Sequence, residues 1–136
     1  MRHNQAGYTL TEMLVVIVII SLIAAVMTPA LLSQLSRARA KAARLQLDTV
    51  AEALVLYRDD TGRFPSSAEG LNALLVNPAL DGWMGPYVKS KRSIEDPWGR
   101  PLRLSANGAA LTLGTLGADG LAGGDGADAD LEVEVK

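Results

Sequence analysis

Residues 7–20 read GYTLTEMLVVIVII, and one carboxylate, Glu12, stands just inside a run that is otherwise apolar. An ionised acid in hydrocarbon costs roughly 2.5–3.5 kcal/mol even on forgiving insertion scales, so Glu12 needs a compensating partner. From Met13 to Leu32 no residue carries a charge, a stretch of 20 residues. That length spans a hydrocarbon core about 30 Å thick. An ordinary secretory signal has a shorter apolar core followed by a small-residue cleavage site. This run is longer, opens with an acid and continues into further helical pattern, so it reads as a retained membrane anchor.

The helical pattern persists beyond the apolar run. Leu47, Val50, Ala51, Leu54 and Tyr57 recur at i, i+3, i+4, i+7 and i+10, which makes one apolar stripe. Gly62 supplies a stop signal, with Pro65 shortly after it. The spacing predicts one helix from about Thr9 to Thr61, with a kink or local melting at Pro29. Its first part, residues 8–32, is apolar all round, and its second part, residues 33–61, is amphipathic.

After Gly62 the texture changes to that of a small domain, residues 62–136. RFPSSAEGLNALLVNP predicts a turn and a short helix over 67–76, followed by a Gly- and Pro-rich loop pinned by Trp83, Tyr87 and Trp98. Two short apolar runs flank Asn107-Gly108, a two-residue hairpin signal. LEVEV at 131–135 alternates strictly and predicts a third strand. The expected fold class is α+β: a long N-terminal helix packed on a small antiparallel sheet.

Composition narrows the chemistry. The chain of 136 residues has no cysteine, which excludes disulfides, thiolate catalysis and cysteine-ligated metals. Its single histidine, His3, lies at the N-terminus, away from any folded domain. A net charge of −2 argues against bulk nucleic-acid binding, which needs a concentrated basic surface. Arg37, Arg39, Lys41 and Arg44 follow the apolar run while only Arg2 and the amino terminus precede it. The positive-inside rule would then place the C-terminal side in the cytoplasm, although that rule weakens when a long folded domain follows. Taken alone, the four bases read as a solvated helix face.

Residues 116–131, LGADGLAGGDGADADL, hold Asp119, Asp125, Asp128 and Asp130 among five glycines. Carboxylates this close repel unless solvent or a cation neutralises them. Hard oxygen ligands on a glycine-bent loop suit calcium, which takes 6–8 oxygens at flexible angles. The spacing is not that of an EF-hand, and a solvated acidic turn explains it equally well on spacing alone.

GYTLTEMLVVIVIISLIAAVMTPAL resembles the class III signal of type IV pilins and pseudopilins: a short basic leader, a glycine, a hydrophobic residue, then a glutamate fifth after the glycine. Within that superfamily, YRDDTGRFPSSAEGLNAL, GPYVKS, DPWGRPL and LGADGLAGGDGADADL look like the major pseudopilins of type II secretion systems. The resemblance covers nearly the whole chain. It implies that residues 1–7 are a leader removed by a prepilin peptidase, that Gly7 precedes the cut, that Tyr8 becomes the methylated first residue, and that Glu12 is the assembly acid. It implies Ca²⁺ as cofactor, with Asp119, Asp128 and Asp130 at the acidic positions of the calcium loop and backbone carbonyls near Leu116 and Leu121 as co-ligands. It also implies a homopolymer, with minor pseudopilins and an inner-membrane assembly platform as partners. The chain would cross the inner membrane once, with its C-terminal domain in the periplasm, which resolves the conflict over orientation. Tyr8 stands where phenylalanine is usual, Thr11 replaces an aliphatic residue, and LEVEVK lacks the Asn-Trp-like ending of relatives. The loop is also a few residues longer than its shortest versions, so the choice between Asp125 and Asp128 stays open.

The partner of Glu12 then follows from chemistry. Cleavage after Gly7 creates an amino group on Tyr8 with a pKa of roughly 7.7–8, mostly protonated at neutral pH. Low dielectric strengthens its attraction to the Glu12 carboxylate, within one helix or between staggered helices. Two other functions fit the sequence less well. A type IV pilus subunit for adhesion or motility usually carries a C-terminal disulfide loop, which a chain without cysteine lacks. A membrane-tethered metal-dependent hydrolase could use the acidic loop, but no histidine or cysteine base accompanies those carboxylates. The expected protein is not an enzyme.

Overall fold

The structure is a computed structural model that describes residues 7–107 and 110–136. Its one α-helix, α1, runs Leu10–Thr61, and Pro29 lies inside it. Three strands follow: β1 at Arg103–Asn107, β2 at Ala110–Thr115 and β3 at Leu131–Val135. The chain divides into two compact units, one ending at Leu35 and the other spanning Ser36–Lys136.

In the first unit, α1 opens on a side-chain cap. The Thr9 hydroxyl accepts a hydrogen bond from the Glu12 backbone N–H at 3.2 Å, and the Thr9 carbonyl accepts from Met13 N–H at 3.2 Å. This is the N-cap pattern of a Thr three residues before a Glu, and it occupies donors that a helix start leaves free. Further along, the hydroxyls of Ser21, Thr28 and Ser33 bond back to the carbonyls of Ile17, Ala24 and Ala30 at 2.8, 2.6 and 2.9 Å. Every hydroxyl of the apolar run is therefore satisfied inside its own helix, as a nonaqueous environment requires. The helix passes through Pro29 without unwinding, contrary to the expected melting, because proline removes one N–H donor while its fixed φ remains helical. The helix is long and apolar enough to cross a membrane, and its most apolar stretch has no buried residue.

In the second unit, the expected stripe is the foundation of the core. Ala43, Leu47, Val50, Ala51, Ala53, Leu54 and Tyr57 are its buried residues on α1. From Leu47 onward they pack with Leu71, Leu74, Val88, Ile94, Leu102, Leu111, Leu113 and Val135. Leu47, Leu54, Leu74 and Leu113 are fully buried, each contributing about 1.5–3 kcal/mol relative to exposure. The sheet order is β1-β2-β3, all antiparallel. Leu113 sits opposite Leu104 on one side and Val133 on the other, while Leu111 faces Val135, so one face of the sheet is apolar. Asn107 pairs with Ala110, so the connection falls on residues 108 and 109, which lie outside the described residues. The Asn107-Gly108 signal located the hairpin to within one residue.

Gly62 ends α1 as its sequence position predicts: its φ is +77° and its N–H donates to the Arg58 carbonyl at 2.7 Å. The short helix expected over 67–76 is instead a turn followed by a 3-10 helix at Gly70–Leu74. Gly70 has φ +55°, outside helical geometry, and this prevents an α-turn from propagating. A reciprocal capping box precedes it: Ser66 N–H donates to Glu69 at 2.7 Å, and Glu69 N–H donates to the Ser66 hydroxyl at 3.3 Å. A second 3-10 helix, Lys91–Ile94, is pinned to α1 by Gln46, whose amide donates to the carbonyls of Arg92, Ser93 and Glu95. The aromatics anchor the loop between these two short helices. Trp83 donates to the Ala73 carbonyl at 2.9 Å, and Tyr87 donates to Asp60 at 2.8 Å while packing edge-on against Tyr57 and Trp83.

Arg63 grips Glu69 with two hydrogen bonds of 2.7 and 2.8 Å. That fork, with the Ser66 N–H behind it, lowers the Glu69 pKa from an ordinary 4.5 to about 2. The folded value lies below the unfolded one, so this contribution is complete above pH 4.5 and is lost as pH falls to about 2. Glu69→Gln is expected to melt below the native chain at neutral pH, with the gap closing as pH falls through that window. Thermal melts across a pH series check this, and a gap independent of pH would count against it.

Candidate functional site

Three groups of residues carry chemistry: the N-terminal motif, the acidic loop, and a buried carboxylate that ties the loop to the sheet. At the N-terminus, Gly7, Tyr8 and Thr9 precede the helix and are exposed, Tyr8 at 77%. Glu12 occupies the third helical position and is exposed. The Gly7–Tyr8 bond lies outside regular structure, and residues 1–6 lie outside the described residues.

The acidic loop joins β2 to β3, which are paired neighbours, so its ends are held close together. Five glycines with positive φ bend it: Gly117, Gly120, Gly123, Gly124 and Gly126. At Gly124 the requirement is also steric, since a Cβ there would meet the Asp128 carbonyl oxygen at 2.6 Å. Within the loop, Ala118 N–H donates to the Ala127 carbonyl at 2.9 Å, and Gly120 N–H donates to the Leu116 carbonyl at 3.2 Å. Asp119 accepts from Leu121 N–H at 3.0 Å, and Asp130 accepts from Gly123 N–H at 2.9 Å. These two acids therefore turn toward backbone donors only two residues apart. Asp125 and Asp128 are exposed, linked only by the Asp128 N–H to the Asp125 carbonyl at 3.2 Å.

Among the described residues, no three acidic or histidine side chains converge closely enough to hold a metal. Asp119 and Asp130 bond the N–H groups of Leu121 and Gly123, while Asp128 lies beside Gly124 through its backbone. The donor set consists of carboxylates and backbone carbonyls, hard oxygens of the kind calcium takes, so the loop's chemistry fits that ion.

The residue missed in the sequence is Asp96. It is 5% exposed and accepts from Trp98 N–H at 3.0 Å, Arg100 N–H at 2.8 Å, the Arg100 side chain at 3.1 Å and the Thr115 hydroxyl at 2.7 Å. Arg100 in turn donates to the Gly117 carbonyl and stacks by Trp98 at 5.4 Å. One buried carboxylate thus ties the 95–101 turn to the last residue of β2, and its arginine reaches the first turn of the acidic loop. At Gly120 an added Cβ would collide with the Arg100 guanidinium. The turn itself was legible in DPWG, with Gly99 at φ +83°, but Thr115 stands 19 residues away and leaves no local signal.

A helix whose first part is apolar on every side and whose second part packs in a small α+β domain defines the pilin-like class of subunits. Residues 30–134 match the type II secretion system (T2SS) protein G family, and residues 2–28 match the prokaryotic N-terminal methylation motif. The chain is 36% identical to type II secretion system core protein G of Pseudomonas aeruginosa, covering 96% of this chain and 95% of the relative. It is 35% identical to the protein of that name from Xanthomonas campestris, covering 98% and 92%, and 35% identical to that from Vibrio cholerae, covering 95% and 91%. Its fold is similar to the crystal structure of the major pseudopilin from the type 2 secretion system of enterohaemorrhagic Escherichia coli. That match has a TM-score of 0.56 and 25% identity, covering 73% of this chain and 85% of the other. The chain belongs to the type II secretion system protein G family, whose members are structural pseudopilin subunits.

Asp96→Ala is expected to leave the Thr115 hydroxyl and the Arg100 guanidinium without their partner, at a cost of about 3 kcal/mol. Arg100→Lys keeps one charge but loses the fork that serves Asp96 and Gly117 together, at a cost of about 1 kcal/mol. Urea unfolding of the purified chain in detergent measures both, and an Arg100→Lys variant as stable as the native chain would remove Arg100 as the link to the loop.

Proposed function

We propose that this chain is the repeating subunit of a periplasmic pseudopilus that drives export of folded proteins across the outer membrane. The observation that carries this is α1 between Leu10 and Leu32, exposed and apolar on all sides, a surface that cannot remain in water. Before assembly the bilayer covers it; in the fibre, copies of the same helix cover one another. The C-terminal domain lies in the periplasm, and minor pseudopilins and an inner-membrane platform complete the machine. The role is structural, and the chain catalyses no reaction.

Processing supplies the charge that assembly needs. A prepilin peptidase cuts between Gly7 and Tyr8 and methylates the new amine. Before the cut there is no cation at Tyr8; after it, the amine can pair with Glu12 of the same or a neighbouring helix in a low-dielectric surround. Glu12→Ala should insert and be cleaved but build few fibres and secrete little. Intact mass of the extracted variant shows whether residues 1–7 are gone, which separates a processing failure from an assembly failure. Abundant normal fibres in electron micrographs of that variant would sink the pairing mechanism.

The 116–131 loop holds one calcium ion through Asp119, Asp130 and either Asp128 or Asp125, with carbonyls near Leu116 and Leu121. The ion draws the acids together and relieves their repulsion in a domain with little core to spare. Stability should then rise with free calcium, by about 2.7 kcal/mol at a hundredfold excess over Kd. Extracellular sites of this kind have Kd around 10⁻⁴–10⁻³ M, so millimolar calcium against EDTA is the right comparison. Asp119→Ala and Asp130→Ala should each abolish the calcium-dependent melting shift. Comparing Asp125→Ala with Asp128→Ala identifies the remaining ligand, with Asp128 expected to matter more. Identical melting of the native chain in EDTA and in calcium would return the loop to a solvated turn.

A further inference from the structure

We propose that the turns of α1 between Arg37 and Arg44 form a docking face for anionic phospholipid headgroups; this rests on reading residues 13–32 as a membrane span. Arg37, Arg39, Lys41 and Arg44 fall within eight residues, and no acid stands between Glu12 and Asp48. Ala40 and Ala43 are the half-buried and buried positions of this stretch, so the domain packs on the alanine side and leaves the bases outward. Arg37, Lys41 and Arg44 follow at i, i+4 and i+7 and share one face, with Arg39 across from it. All four are exposed, and among the described residues none forms an ion pair or a side-chain hydrogen bond.

The patch begins five residues after the apolar run closes at Leu32, on the same helix. Helical side chains lean toward the helix N-terminus, here the end that carries the apolar run. Long Arg and Lys stems extend their charged heads further in that direction. An anionic bilayer surface attracts bases next to a span, and the attraction fades within a Debye length of about 8 Å at physiological salt. Arg37 follows the apolar run by only five residues, so the patch begins within the reach of that attraction. A pull toward headgroups there holds the unassembled subunit at one depth, and it must be released when the subunit leaves the bilayer.

The test reconstitutes the mature full-length chain in phosphatidylcholine vesicles containing traces of spin-labelled phosphatidylglycerol or spin-labelled phosphatidylcholine. Electron paramagnetic resonance then measures the fraction of each lipid immobilised by the protein. The native chain should select phosphatidylglycerol severalfold, about fivefold for one fully engaged base, and the preference should vanish in molar salt. R37Q/R39Q/K41Q/R44Q should immobilise both lipids equally. The salt arm on the native chain keeps the test decisive if that variant folds poorly. A salt-insensitive preference, or one retained by the quadruple variant, overturns the proposal, as does equal immobilisation of both lipids by the native chain. If neither lipid is immobilised, the span itself is wrong and the proposal falls with it. The chain has no cysteine, so Lys41→Cys paired with Asp128→Cys reports contact between copies. Cross-linking in those vesicles without lipid preference would make the acidic loop of a second copy the partner and reject the lipid.

Discussion

The second unit depends on one constraint: the apolar stripe of α1 from Ala43 to Tyr57 must be covered. A domain of this size has no second helix to do it, so the work falls to two 3-10 turns, a loop and a three-stranded sheet. Each contributes a few side chains to a single core: Leu71 and Leu74 from one turn, Ile94 from the other, Val88 from the loop, and Leu111, Leu113 and Val135 from the sheet. None of these pieces would be stable alone. Short 3-10 helices have poor hydrogen-bond geometry, and a small sheet needs a surface to pack on. The stripe gives them that surface, and Gln46 adds the polar counterpart by serving three carbonyls around the second turn.

The parts of the fold that were legible in the sequence are those whose signal is local and periodic. The stripe was readable because 3.6-residue spacing is sustained over three turns, and β3 because LEVEV alternates without interruption. Gly62 announced the helix end because its φ of +77° is available to few other residues. What failed was read from composition without regard to backbone sign: LNALLV has helical residues, yet Gly70 in front of it cannot hold helical φ. At Pro29 the lost donor does not melt the helix, which continues on both sides of it. Asp96 was hidden for a different reason. Its turn is local, but its meaning comes from Thr115 and Gly117, which only the folded sheet brings near. Of the candidate sites, the N-terminal motif was visible as sequence alone, since it is a linear signal. The acidic loop was visible as a cluster of charges, but not the way its acids divide between backbone donors and solvent.

Charge along the chain is sharply segregated. Bases dominate the turns after the apolar run, and acids dominate from Asp119 to Glu134. Read by the positive-inside rule alone, that segregation would reverse the chain in its membrane. The rule acts on short flanking segments, however, and long folded domains translocate largely regardless of charge. The lipid face proposed above gives the bases after the apolar run a role that does not depend on topology.

The tie from Asp96 through Arg100 changes how the acidic loop should be thought of. A loop of this length, flexible at five glycines, would lose considerable chain entropy on gathering four like charges. It does not start from a free coil. Its entry is fixed where Arg100 holds the Gly117 carbonyl, and its exit is fixed where Leu131 pairs with Thr115. Asp119 and Asp130 have already turned onto Leu121 and Gly123. Between them, Ala118 bonds to the Ala127 carbonyl and Gly124 packs close against the Asp128 carbonyl, so the stretch that carries Asp125 and Asp128 is held as well. The buried carboxylate therefore acts on the loop at a distance: through Arg100 it fixes where the loop begins and leaves its acids untouched.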